Sequence, residues 1–204
     1  MLRAEVAAFV RAALPPPPAR VLEVGAGAGD LAAALADAGY EVVAIDPAGE
    51  SPAVRPMALH ELEEPAGSFD AAVAVISLHH VEPLPESCAR LAALVREDGL
   101  LVVDEFDVER FDERAARWWL EHREADEHDR EPAEVVAALR EHLHVLDRLR
   151  AELAGAFALG EPVRGAYLYR WGVGEGAREA EEQLIAAGSL PATGARLVGV
   201  RRFG

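Results

Sequence analysis

The sequence predicts a doubly wound α/β fold: a mostly parallel sheet with helices on both faces, a helical insertion, and a last strand running antiparallel to the others. Three observations carry this expectation. Apolar runs of strand length alternate with segments of helical period across residues 20–104. Several of those runs are continuously apolar, as strands buried on both faces of a parallel sheet must be. The first run ends in a glycine-rich turn that leads straight into a helix.

Taken in order, residues 2–14 place Val6, Phe9, Val10 and Leu14 at helical spacing, and the prolines from Pro15 to Pro18 stop that helix. Residues 1–19 therefore read as an N-terminal helix and a proline linker. Arg20–Val24 is a buried strand, and residues 30–38 form a helix whose Leu31 and Leu35 share a face, ended by Gly39. Residues 40–46 (YEVVAID) are a second strand, and residues 54–59 a weaker third. The run FDAAVAVIS, residues 69–77, is a strong central strand; residues 86–96 are helical and residues 99–104 (GLLVVD) supply a fifth strand. Residues 107–153 are rich in Glu, Arg, Ala and His without a strand pattern, and read as a helical insertion or cap. Beyond them, residues 166–171 (AYLYRW) are strand-like, residues 175–187 helical, and residues 195–203 form the last strand.

The chain of 204 residues is expected to fold as a single domain over 1–204. Its 51% hydrophobic and 27% charged residues are ordinary for a globular enzyme, and 36 acidic against 20 basic side chains give a net charge of -16. That field repels polyanions and anionic lipid, so nucleic acid is a poor partner; the tight basic pair Arg201 and Arg202 does not change the balance. The single cysteine, Cys88, lies in an apolar-periodic segment and reads as a buried structural thiol. With no secretory pattern and no apolar run near the roughly 18 residues that span a bilayer, a cytoplasmic protein with no membrane partner is expected. Oligomeric state has no signature in the sequence.

The first strand ends in Gly25-Ala26-Gly27-Ala28-Gly29-Asp30. Glycines at alternate positions let the backbone turn sharply and admit a ligand closely. A dinucleotide fingerprint would need glycine where Asp30 stands, and a carboxylate at the start of the helix opposes a pyrophosphate there. A ligand with cationic rather than phosphate groups suits the acidic turn. Asp46, closing the apolar run VVAI, lies at a strand's carboxyl edge, where it can accept two hydroxyl protons.

VLEVGAGAG, residues 21–29, resembles the first motif of class I S-adenosylmethionine-dependent methyltransferases, and the similarity extends in order over roughly residues 20–105. The resemblance implies a Rossmann-like methyltransferase fold and S-adenosylmethionine as cofactor. It implies that Glu23 helps hold the methionine ammonium, that the backbone of Gly25, Ala26, Gly27 and Gly29 approaches the nucleoside, and that Asp46, followed by Pro47, accepts from both ribose hydroxyls. The family's acidic residue after the third strand is missing, since Ala58 and Leu59 stand there, so the backbone near Leu59 and His60 or the carboxylate of Glu61 is expected to replace it.

The fourth strand runs into Ile76-Ser77-Leu78-His79-His80-Val81, which resembles the post-strand segment of many small-molecule methyltransferases. Ser77 and Leu78 are expected along the cofactor, with His79 or His80 facing a small-molecule methyl acceptor as a base. The same pair could instead cap a loop. His122 and His128 lie in the charge-dense HREADEHDRE, and His142 and His144 have neither a third histidine nor a cysteine at ligand spacing, so no metal site is expected. Trp118 and Trp119 could roof an acceptor pocket or belong to the core of the insertion. Asp104 and Glu105 could face the cleft or cap the next helix. The leading reading is methyl transfer to O, N or C of a small molecule; the alternatives are a nicotinamide-dependent oxidoreductase and a non-catalytic S-adenosylmethionine-binding protein.

Overall fold

The computed structural model describes residues 3–124 and 130–203. Strands β1 (Arg20–Val24), β2 (Glu41–Ile45), β3 (Val54–Arg55), β4 (Phe69–Val75) and β5 (Val95–Phe106) run parallel. The last strand, β8 (Gly194–Arg201), returns antiparallel beside β5, and the short β6 (Phe157–Leu159) and β7 (Val163–Gly165) pair in succession along the other edge of β8. The order β3-β2-β1-β4-β5-β8-β6 places the topological switch between β1 and β4, so the carboxyl ends of those strands flank a natural crevice.

Helices cover both faces. On one, α1 (Ala4–Ala13) and α2 (Asp30–Asp37) bring Val6, Val10, Leu31 and Leu35 onto Val21, Val73 and Val102. On the other, α3 (Leu84–Leu94) and α6 (Leu146–Ala154) pack Leu84, Leu91, Leu149 and Leu153 against Leu22, Ala72 and Val103. Because strand side chains alternate faces, Glu23 follows Val21 toward α2, Asp104 follows Val102 toward α1, and Glu105 follows Val103 to the opposite side. Two adjacent carboxylates thus serve opposite faces of the sheet.

A second apolar cluster lies past the end of β5. Here α4 (Glu113–His122), α5 (Pro132–His142) and α7 (Arg178–Ala186) gather Phe106, Phe111, Trp118, Trp119, Val135 and Tyr167. Asp112 caps α4 by accepting from the Arg114 and Ala115 N–H groups, each at 3.0 Å. The stretch expected as one helical insertion over 107–153 is therefore divided. Its α4 and α5 build the second cluster, whereas Leu146, Leu149 and Leu153 of α6 belong to the core under the sheet.

The strand expected at residues 166–171 is absent. Leu168–Arg170 is instead a 3-10 turn, and the short strands β6 and β7 precede it. The reason is the fully buried Glu181 of α7, whose carboxylate accepts from the N–H groups of Tyr167, Leu168 and Tyr169 at 2.8, 2.9 and 2.8 Å. A strand would have found those partners in a neighbour; here one side chain supplies them. The third strand is likewise shorter than expected, since Leu59–Glu61 turns into a 3-10 helix. Arg201 donates to the carbonyls of Ala92 and Ala156, which removes it from any basic surface patch. Burial pushes the Cys88 thiol up to about 11, in keeping with a structural role.

Replacing Glu181 by Ala orphans three buried donors and is expected to cost roughly 3 kcal/mol or more in urea denaturation, whereas Glu179→Ala on the outer face of α7 stays within about 0.5 kcal/mol.

Candidate functional site

At the switch point a cleft of about 480 Å³ opens between the ends of β1, β2 and β4. Its floor is Val24, Gly25 and Ile45; Asp46 and Pro47 form one side, Met57, Ala58 and Leu59 another, and Ile76, Ser77 and His80 a third. The turn after β1 needs its glycines for different reasons. Gly25 has φ +72°, and a Cβ there would lie 2.2 Å from the Cβ of Ser77, so the turn and the loop after β4 interlock at this residue. Gly27 has φ +53° and open space where a Cβ would be. Gly29 sits at the start of α2 with its Cα facing Val54, behind the turn rather than in the cleft.

Asp46 fixes the opposite rim. Its Oδ2 accepts the Gly27 N–H and its Oδ1 the Ala48 N–H, both at 2.8 Å. Each oxygen retains a second lone pair for a hydroxyl donor. Beneath the turn, Glu23 is 3% exposed and accepts from the Ala32 N–H in the first turn of α2, while its Oε2 is buried without a partner. Burial, with the nearby carboxylates of Asp30 and Asp46, pushes Glu23 up to about 8. An unsatisfied acidic oxygen next to two more carboxylates is a place for a cation.

The third wall is organised from below by Glu105, which is fully buried. Its Oε1 accepts the N–H groups of Ser77 and Leu78 at 2.9 and 2.6 Å, and its Oε2 meets Nδ1 of His79 and the Phe106 N–H. Ile76 is held at φ +53°, a conformation that a β-branched residue adopts only where its surroundings impose it, with its N–H on the Asp104 carbonyl at 2.7 Å. The Ser77 hydroxyl donates to the Val24 carbonyl at 2.7 Å, closing the loop onto β1. His144 adds a further tie, its N–H donating to the His79 carbonyl and its Nε2 lying 3.0 Å from Glu82.

Of the residues singled out in the sequence, Gly25, Asp46, Pro47, Leu59, Ser77 and His80 line the cleft. Glu23, Ala26 and Gly27 stand directly behind that wall. Leu78 is buried in the core below the loop, and His79, 4% exposed and turned onto Glu105, faces away from the cleft. Expecting His79 as a base is thereby corrected: its ring holds the loop, and His80 is the exposed member of the pair. Glu61 is also corrected, because its carboxylate caps its own 3-10 turn by accepting the Ala58 N–H at 3.0 Å. Met57, Ala58, Ile76 and Val81 complete the wall without having been picked out; isolated apolar residues in a short turn carry no periodicity to mark them.

Asp104 lies on the other face, its two oxygens each 2.9 Å from Arg170 and Arg196, the latter its cross-strand neighbour on β8. A second pocket, about 410 Å³, opens beside the cleft and shares His80 with it; Trp119, Trp171 and one face of α5 form its walls. Trp118 instead stacks on His122 at 4.5 Å. His128 lies outside the described residues. Among the described residues no three histidine, cysteine or carboxylate groups come together as a metal site.

Desolvation lowers the His80 pKa below the ordinary histidine value, with the neighbouring His79 and His144 acting in the same direction and Glu105 opposing them. Its imidazole is therefore neutral at pH 7 and able to accept a proton. The described lining of the cleft holds no lysine or arginine, so it offers a phosphate nothing to pair with, while Glu23 and Asp46 offer sites for a cation and for hydroxyls.

Glu23 gives a measurable signature. Its folded pKa of about 8 lies above the unfolded value near 4.5, so the folded state binds more protons between them, and stability falls as pH rises from 4.5 through 8. Glu23→Gln is expected to leave the melting temperature nearly unchanged at pH 5 and to raise it by about 5 °C or more at pH 8.5. Equal shifts at both pH values would contradict this assignment.

A family model described as a methyltransferase domain matches residues 2–149. The ubiquinone biosynthesis O-methyltransferase of Xanthomonas axonopodis pv. citri (strain 306) is 38% identical over 108 residues, which cover 45% of this chain and 44% of that enzyme. Among solved structures, an S-adenosylmethionine dependent methyltransferase from Mesorhizobium loti superposes with a TM-score of 0.61 at 18% identity, over 98% of each chain. The Burkholderia thailandensis 1,6-didemethyltoxoflavin-N1-methyltransferase, solved with its substrate and S-adenosylhomocysteine, gives 0.56 at 20% identity over 98% of this chain and 78% of that one.

Proposed function

The chain belongs to the methyltransferase-domain family, and from that premise we propose that it transfers the methyl group of S-adenosylmethionine to O, N or C of a small molecule. One observation carries the reading: a buried carboxylate oxygen of Glu23 left without a partner under the glycine turn, faced across the cleft by Asp46 with lone pairs to spare. A cationic ligand bearing vicinal hydroxyls meets both needs.

In this reading Glu23 holds the ammonium end, by direct or water-bridged contact, and Asp46 accepts from the ribose hydroxyls. Met57, Ala58 and Leu59 take the adenine ring by apolar contact and backbone groups, in place of the acidic side chain that this segment lacks. When bound, the cofactor supplies an electrophilic methyl carbon on a sulfonium. The chain's own part is mostly positional, since holding two reactants in contact accounts for much of such an acceleration. Ser77 and Ile76, locked by Glu105, fix one side of the reacting centre, and His80 stands where the cleft meets the second pocket. A ring nitrogen of neutral His80 accepts the proton of an acceptor hydroxyl or amine.

A nicotinamide dinucleotide is disfavoured by Asp30 in the first turn of α2 and by the absence of a cation among the described lining residues. No helix among the described residues is long and apolar enough to cross a membrane, which accords with a cytoplasmic enzyme acting on a small dissolved acceptor rather than on nucleic acid.

Calorimetry is expected to detect S-adenosylhomocysteine binding to the wild-type chain and a loss of at least about tenfold in affinity for Asp46→Ala. Binding of NAD(P) without S-adenosylhomocysteine would overturn the reading. With an acceptor that must lose a proton, His80→Ala is expected to lower kcat by about 100-fold or more. In the wild type kcat/KM should fall with acidity through a pKa below 6.5, as the base becomes protonated, and His80→Ala should abolish that acid limb.

A further inference from the structure

The pocket beside the cleft has a chemistry of its own. One wall is a single face of α5, where Val135, Ala138, Leu139 and His142 recur at helical spacing. Opposite stand Trp119 and Trp171, their rings stacked at 4.1 Å and 19°, with the Trp119 indole N–H donating to the Trp171 carbonyl at 2.7 Å. This is a rigid wall: the indoles are fixed to each other and to the backbone, and Phe106 and Phe111 pack behind Trp171.

Charge in the pocket runs against the rest of the molecule. The chain carries 36 acidic and 20 basic side chains, yet the ionisable groups among the described lining residues are Arg123, Arg130, His80 and His142, without a carboxylate. The Arg123 guanidinium is positioned 4.1 Å from the Trp119 ring centre, which orients it beside the aromatic wall. The neighbouring cleft shows the reverse, with Asp46 and Glu82 on its walls and Glu23 below. The two compartments meet at His80.

We propose that the methyl acceptor is a planar aromatic anion, its ring held between the α5 face and the tryptophan wall and its charged group paired with the arginines. A volume of about 410 Å³ accommodates one or two fused rings. The proposal rests on the methyl-transfer reading for the word acceptor; the pocket's selectivity is measurable without it. Opposite charge preferences in adjoining compartments keep each ligand out of the other's place, and the interior of the acceptor pocket favours flat surface over flexible chain.

The test uses the full chain, with and without saturating S-adenosylhomocysteine, titrated with 2-naphthoate, 2-naphthamide and decalin-2-carboxylate while tryptophan fluorescence and heat are recorded. Naphthoate is expected to bind at least about tenfold more tightly than either analogue, the amide reporting the charge and the saturated acid the planarity. In the double variant Arg123→Gln/Arg130→Gln, naphthoate should fall to the affinity of the amide while the amide's own affinity holds, which also shows that the pocket is still folded. Equal binding of naphthoate and amide, equal binding of the saturated acid, a preference surviving the double variant, or no saturable naphthoate binding below about millimolar would each overturn the proposal. Failure of S-adenosylhomocysteine to bind would sink the methyl-transfer reading instead, and naphthoate selectivity on the ligand-free chain would still decide what the pocket recognises.

Discussion

The buried carboxylate of Glu105 is the interaction on which the site depends. It sits at the end of β5, on the face away from α1, and gathers backbone donors from the loop after β4 together with the ring of His79. Through that loop its influence reaches the neighbouring strand. Ser77, positioned by Glu105, donates its hydroxyl to Val24 and occupies the space that forces residue 25 to be glycine. The conformation of Ile76, unfavourable in isolation, is sustained by the same anchoring on both sides. Three strands thus share one polar junction, and the walls of both pockets extend from it.

Around the junction the molecule separates two electrostatic environments over a short distance. Glu23, Asp30 and Asp46 make the glycine turn acidic, and the absence of a partner for one Glu23 oxygen leaves that acidity uncompensated inside the fold. Such an arrangement destabilises the empty protein and is retained because an incoming cation relieves it. On the far side of His80 the walls are aromatic and basic. A neutral imidazole at the boundary is compatible with both, since it presents neither sign of charge to the ligands on either side.

The parallel half of the fold was legible because its physical signals are local. Apolar runs such as VLEV and FDAAVAV can only be buried strands, three alternate glycines can only be a turn, and Asp46 follows from its place at a strand end. What escaped depends on partners distant in sequence. AYLYRW has strand composition, yet the carboxylate of Glu181 takes its N–H groups, and nothing near residue 166 announces that. The roles of His79 and His80 cannot be separated by type or spacing; Glu105, 26 positions away, claims the first. Glu61 looked like a ligand because it was a carboxylate in the right region, but its own turn already uses it. Asp104 and Glu105 could have been told apart by strand alternation alone, which sends neighbours to opposite faces.

The position of β8 bears on how the molecule is made. The strand that comes last in the chain is inserted between β5 and the pair β6 and β7, so Leu100 waits for Val200, and Phe157 for Arg201. During synthesis on the ribosome the parallel strands can assemble in the order they emerge, but β5 then presents an open edge until the final segment arrives. Asp104, buried and awaiting Arg170 and Arg196, remains uncompensated for the same interval. Completion of the sheet and neutralisation of that carboxylate are therefore one late event. The nascent chain is most exposed to mispairing while its first half is already folded, and a chaperone would find its work at the β5 edge.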